Sequence, residues 1–140
     1  MTLRLSKRPT LGYDNVSGQE QQMTSRVFFP VELPASRSDR DLSSANRYGA
    51  IHFVISSRNT PSLMPGPAML EARQNLCDFD PAKDYLSWSG GDPLAMLLVG
   101  AVLAENGVRD VKFLRYDRDR GTDGRRTGGG FYTPITVRLR

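Results

Sequence analysis

The side chains with the clearest chemical character are seven arginines, Arg115, Arg118, Arg120, Arg125, Arg126, Arg138 and Arg140, set near the C-terminus among the aromatic residues Tyr116, Phe131 and Tyr132. A guanidinium holds phosphate through a planar pair of N–H donors and stacks on flat rings, while aromatic faces stack on unpaired bases. Arg115, Tyr116, Arg118, Arg120, Arg125, Arg126, Phe131 and Tyr132 are therefore candidate contacts for nucleic acid or for an acidic protein surface. Asp117, Asp119 and Asp123 alternate with the arginines, and Arg–Asp pairs across a hairpin neutralise part of such a field. A solvated or protein-binding hairpin is the alternative reading.

A second candidate is the turn Trp88-Ser-Gly-Gly-Asp-Pro93, which joins the end of an expected strand to the start of an apolar helix. Free N–H groups and the helix dipole attract anions there, so Ser89, Gly90 and Gly91 form a possible anion site. Asp92 competes for the same N–H groups as a helix cap, and the spacing matches neither the dinucleotide nor the P-loop fingerprint. His52 and Cys77 are the only histidine and the only cysteine. With Asp78, Asp80 or Asp84 they could make a nucleophilic set, the enzymatic alternative, but helical spacing places Cys77 in the core and leaves His52 a structural or surface role. One histidine and one cysteine do not make a zinc site. Asp78, Asp80, Asp84 and Asp92 read as helix and turn punctuation rather than as oxygen ligands of a cation. No catalytic residue, cofactor or metal is assigned.

These residues need elements to position them. Residues 1–24 have no sustained period and read as a flexible arm, leaving 25–140 as one globular domain. Arg26 to Pro34 is a short β-prone run whose prolines imply a sheet edge or an extended connection. Ser38 to Tyr48 has the spacing of two helical turns, and Ala50 to Ser56 alternates as a strand. Pro65 and Pro67 open a helix in which Met69, Leu70, Leu76 and Cys77 recur on one face, ending near Asp78. Asp84 to Trp88 is a short strand. Pro93 to Asn106 is a helix apolar on nearly every side, which implies a place in the centre of the fold. Val108 to Tyr116 and Phe131 to Leu139 form an antiparallel hairpin whose connection is GTDGRRTGGG, Gly121 to Gly130. The order β-α-β-α-β-β predicts an α/β or α+β fold, a layer of four to five strands packed by two main helices, with a C-terminal antiparallel hairpin.

The totals agree. The chain has 140 residues, enough to bury a core without disulfides, and its single cysteine fits a reducing compartment. Its longest apolar run, Leu94 to Ala104, is too short to span a bilayer, which implies a cytoplasmic setting and no membrane partner. Net charge is +4, but residues 1–107 carry ten Lys and Arg against eleven Asp and Glu, and residues 108–140 carry nine against four. A basic end beside a near-neutral body favours phosphate backbones or an acidic surface.

The segments FDPAKDYLSWSGGDP (79–93), KFLRYDRD (112–119) and GFYTPITV (130–137) resemble those of a class of short tailed-bacteriophage proteins. The resemblance spans roughly residues 79–140. It implies a phage protein acting inside a bacterium or assembled into a virion, and it carries no catalytic residue with it. The length of GTDGRRTGGG departs from the tighter hairpin of that class. The expected function is a non-enzymatic phage accessory protein that binds nucleic acid, or a host complex that handles it, through the Arg-rich hairpin. A virion component or a host-enzyme inhibitor is the alternative.

Overall fold

A computed structural model of the protein describes residues 25–32, 42–88, 90–120 and 126–140. The proposed arm, 1–24, lies outside them. The described chain is a five-stranded mixed sheet with two α-helices, in the predicted β-α-β-α-β-β order. Strands β1 (Arg26–Val31), β2 (Ala50–Ile55), β3 (Tyr85–Ser87), β4 (Asp110–Arg120) and β5 (Arg126–Arg138) stand in the order β2-β1-β3-β4-β5. The first four run parallel to one another, and β5 runs antiparallel to β4.

β1 is not at an edge. It lies between β2 and β3 with Val27 to Val31 all buried. Such a continuous apolar run is the mark of a parallel strand covered on both faces. Pro30 is accommodated by a gap in the ladder: Phe29 pairs with Phe53 and Val31 with Ile55, and pairing resumes where Glu32 N–H donates to Ile55 O at 2.9 Å. The edge falls instead to β2, whose first four residues are exposed or half-buried.

Alternation along the strands sends side chains to two clusters. Phe28, Val54, Leu86 and Val111 meet helices α1 (Pro65–Asn75) and α2 (Pro93–Glu105) on one face. Val27, Phe29, Leu114 and Tyr132 gather with Ala45, Leu42 and Tyr48 on the other. That second cover is made of two 3-10 turns, Leu42–Ser44 and Asn46–Tyr48, where the spacing predicted helix; residues 38–41 of that stretch lie outside the described residues. Gly49 links the turns to β2 because a Cβ there would strike the Ser25 carbonyl.

Both helices differ from expectation in the face they bury. α1 buries Ala68 and Ala72, followed by Leu76 in the turn beyond it, while Leu70 is 58% exposed. Small residues allow the helix close to the sheet, so the i, i+4, i+8 alanine–leucine row outcompetes the larger Met69 and Leu70. α2 buries Ala95, Val99, Val102 and Leu103 but leaves Leu97 68% exposed. It therefore lies on one face of the sheet, not at the centre.

Candidate functional site

The Arg-rich segment is built as a two-stranded ribbon. β3 pairs only with Lys112 to Leu114 of β4, whereas β4 and β5 continue together to Arg118↔Gly130 and Arg120↔Arg126. From Arg115 onward the ribbon has no third strand beside it among the described residues. Between its last two pairs, Asp119 of β4 stands against Thr127, Gly128 and Gly129 of β5, a bulge of the kind that bends and twists a strand. Half of GTDGRRTGGG thus belongs to β5. The connection shrinks to residues 121–125, an ordinary hairpin length of ~2–5 residues. Gly130 serves close approach, because a Cβ there would run into the hydroxyl end of Tyr116 and within 2.8 Å of Asp117 O.

Part of the positive field is neutralised. Arg115 Nη2 donates to Asp117 Oδ2 at 3.0 Å, and Arg138 Nε donates to Asp110 Oδ1 at 3.1 Å directly across the ladder. Arg140 Nη1 donates to Ala104 O at 3.3 Å near the end of α2. Arg118, Arg120 and Arg126 lie on the outer half of the ribbon, and Arg125 lies outside the described residues. Of the three candidate rings, Phe131 is 49% exposed. Tyr132 is 4% exposed and belongs to the core, so it offers no stacking face; the register sends it to the same side as Leu114. Tyr116 is half-buried, its ring 4.9 Å from that of Tyr132.

The Trp88–Pro93 turn sits beyond the carboxyl end of β3, next to β1, where the strand order reverses and ligands gather in open α/β sheets. Gly90 and Gly91 have φ of 104° and 95°. The helix start, however, is held by the chain itself: Asp92 Oδ1 accepts from Leu94 N–H at 3.0 Å, and Oδ2 accepts from Ser62 N–H at 2.8 Å and from its hydroxyl at 2.6 Å. The Ser62 hydroxyl, then the Ser62 and Leu94 N–H groups, hold the Asp92 carboxyl below its ordinary value. An anion at Gly90 and Gly91 meets that carboxylate; Ser89 lies outside the described residues.

Cys77 is exposed rather than buried. α1 ends at Asn75, and Leu76 takes the inward position in the following turn. Cys77, His52 and Asp78 line one hollow of about 270 Å³ together with Arg26, Phe28 and Asn75, and the His52 ring stacks on Phe28 at 5.5 Å. Asp84, 1% exposed, accepts from Arg26 N–H at 3.1 Å, Arg26 Nη2 at 2.9 Å and Asp80 N–H at 2.8 Å. Asp78 receives Arg26 Nη1 at 3.3 Å. Burial opposes the charge of Arg26, but Asp84 and Asp78 outweigh it and raise the guanidinium pKa. Two of the four clustered aspartates therefore hold an arginine and a third caps a helix. Among the described residues no group of three or more His, Cys, Asp or Glu could hold a metal ion. No helix among them is long and apolar enough to cross a membrane.

On the face away from the helices, Ser25, Asn46, Arg47, Tyr48, Gly49, Ala50 and Tyr85 line an open cleft of about 750 Å³. These residues come from three distant segments, so nothing in their local spacing marks them.

A family model described as Phage Pam3 gp32-like protein matches residues 25–123, more than half of the chain. The match begins just before β1 and ends in the hairpin connection, so β5 lies beyond it. No curated protein and no solved structure matches the chain.

Proposed function

The chain belongs to the phage Pam3 gp32-like protein family, and from that premise we propose that it is a phage accessory protein that binds nucleic acid through the β4–β5 ribbon. The observation that carries this reading is the ribbon itself: a two-stranded extension of the sheet with Arg115, Arg118, Arg120 and Arg126 on its strands and Arg125 in its connection. A two-stranded ribbon fits the major groove of duplex DNA, and arginines along it serve phosphates or unstacked bases. The setting is the host cell interior, with the virion as the other site of action.

Polarisation of labelled single-stranded and duplex oligonucleotides, measured as salt is raised, tests the proposal. Each phosphate contact adds a slope of about −0.7 to −0.9 in log K against log salt, so Arg125→Ala with Arg126→Ala flattens it by roughly 1.5. Absence of binding at low salt, or a slope that the double substitution leaves unchanged, removes the proposal.

A protein-contact reading, as a virion component or an inhibitor of a host enzyme, is favoured by one observation. α2 carries no charged residue before Glu105, and its outer side exposes Leu97 and Ala101 to solvent. This uncharged exposed stretch of the helix is what supports a protein contact. On this reading Leu97→Glu leaves the melting temperature unchanged and removes the chain from purified virions by mass spectrometry. A wild-type chain absent from virions counts against the virion form of it.

A further inference from the structure

We infer that the cleft between the Asn46–Ala50 segment and Tyr85 is a subsite for a nucleobase of single-stranded nucleic acid, with Arg47 placed for the attached phosphate. The choice of a base as occupant rests on the nucleic-acid reading above; the cleft itself rests on its own geometry. Its volume, about 750 Å³, lies within the usual ~300–1,000 Å³ of small-ligand sites. Tyr48 and Tyr85 form a corner, with ring centroids 5.3 Å apart and planes at 63°. Two tethers hold the corner. The Tyr48 hydroxyl donates to Tyr132 O on β5 at 3.1 Å, and Lys112 Nζ sits 4.6 Å from the Tyr85 centroid while donating to Ala82 O at 2.8 Å. The corner is thus ordered before any ligand arrives, which reduces the entropy lost on binding.

The polar lining selects the charge and shape of the occupant. None of the described lining residues is acidic, and among the described residues Arg47 and Asn46 are exposed side chains that no hydrogen bond or ion pair engages. Rings for stacking, an amide for a base edge and a guanidinium for phosphate are the parts that single-strand sites combine. The Tyr48–Tyr132 hydrogen bond also joins the cleft to the ribbon, so one strand could run from the arginines into the corner. Close packing at Gly49, where a Cβ would meet Ser25, keeps the cleft wall tied to the start of β1.

Two probes test the inference on the whole protein. With thymidine 5′-monophosphate, the ring resonances of Tyr48 and Tyr85 are expected to shift and saturate, and Arg47→Glu is expected to weaken the effect about tenfold. With oligothymidylate carrying 5-iodouracil, photocrosslinks are expected at Tyr48 or Tyr85 in addition to the ribbon. Arg47 and Asn46 are exposed, so Arg47→Glu and Asn46→Ala are expected to keep the wild-type melting temperature, and Tyr48→Phe preserves the ring if Tyr48→Ala fails to fold. Crosslinks confined to residues 115–131, with an oligothymidylate affinity indifferent to Arg47→Glu, overturn the subsite and leave the ribbon reading standing. Shifts of Tyr48 and Tyr85 by the mononucleotide without oligonucleotide binding reduce the cleft to a mononucleotide site and overturn both the single-strand subsite and the ribbon reading. No effect of either probe overturns both.

Discussion

Asp84 illustrates how much a single buried carboxylate can organise. It joins the start of β1 to the turn before β3 by accepting from Arg26 and from Asp80 N–H, and Arg26 in turn lies 4.8 Å from the Phe28 ring centroid. Removing one partner of such a pair leaves the other uncompensated, so Asp84→Ala is expected to destabilise the fold by about 3 kcal/mol in denaturant unfolding. The double substitution with Arg26→Ala should lose less than the sum, the sign of coupling. Arg26 and Asp84 stand 58 residues apart, so no local spacing in the sequence reveals their pairing. Glu71 makes a pH prediction at the same scale. Burial alone raises its carboxyl, but hydrogen bonds from Asn59 Nδ2 and from Ser56 N–H and hydroxyl, aided by Arg58, outweigh this and hold it below its ordinary value. A depressed carboxylate contributes stability that is present above its unfolded pKa, about 4.3, and is lost as pH falls through the folded value. Melting temperature measured from pH 6 downward should fall less steeply below about pH 4 in Glu71→Gln than in wild type; equal slopes refute the assignment.

The elements most legible in the sequence are those whose ends carry their own chemistry. Pro93 and Asp92 mark the start of α2, and the Asp92 carboxylate caps it as its position implies, with an added tie to Ser62. Asp92→Ala is therefore expected to lower the melting temperature by more than Ser62→Ala does, since it removes the cap and the tie together, whereas the serine change removes part of the tie alone. Where identity of the neighbours decided the outcome, the sequence was silent. Pro30 reads as an edge signal until Val27 to Val31 are seen buried between two strands, and the α1 face depended on which residues fit close to the sheet. Three consecutive glycines, Gly128 to Gly130, read as loop, yet they lie in β5 because Tyr116 covers Gly130 and the bulge absorbs the others. Gly130→Val should force Tyr116 aside and destabilise the protein by about 2 kcal/mol, with the loss read as a shift of the unfolding midpoint at unchanged slope.

At the scale of the molecule, the charge asymmetry of the sequence becomes a division between packed core and arginine-bearing ribbon. The parallel part of the sheet, β2-β1-β3 with the first half of β4, carries both core clusters and both helices, while the ribbon beyond Leu114 carries few core residues besides Tyr116 and Tyr132. Stability and binding should therefore separate. Replacing residues 118–130 by Asn-Gly, a pair suited to a tight two-residue hairpin, keeps the Tyr116↔Tyr132 and Asp117↔Phe131 pairs and removes Arg118, Arg120, Arg125 and Arg126. The shortened chain is expected to unfold at nearly the wild-type denaturant midpoint and to lose most of its salt-dependent affinity for oligonucleotides, since up to four phosphate contacts go with the ribbon tip. Because Arg47, Tyr48 and Tyr85 are untouched, a residual response to thymidine 5′-monophosphate should persist. A shortened chain that binds oligonucleotides with the full wild-type salt slope would move the phosphate contacts off the ribbon and onto the body of the sheet.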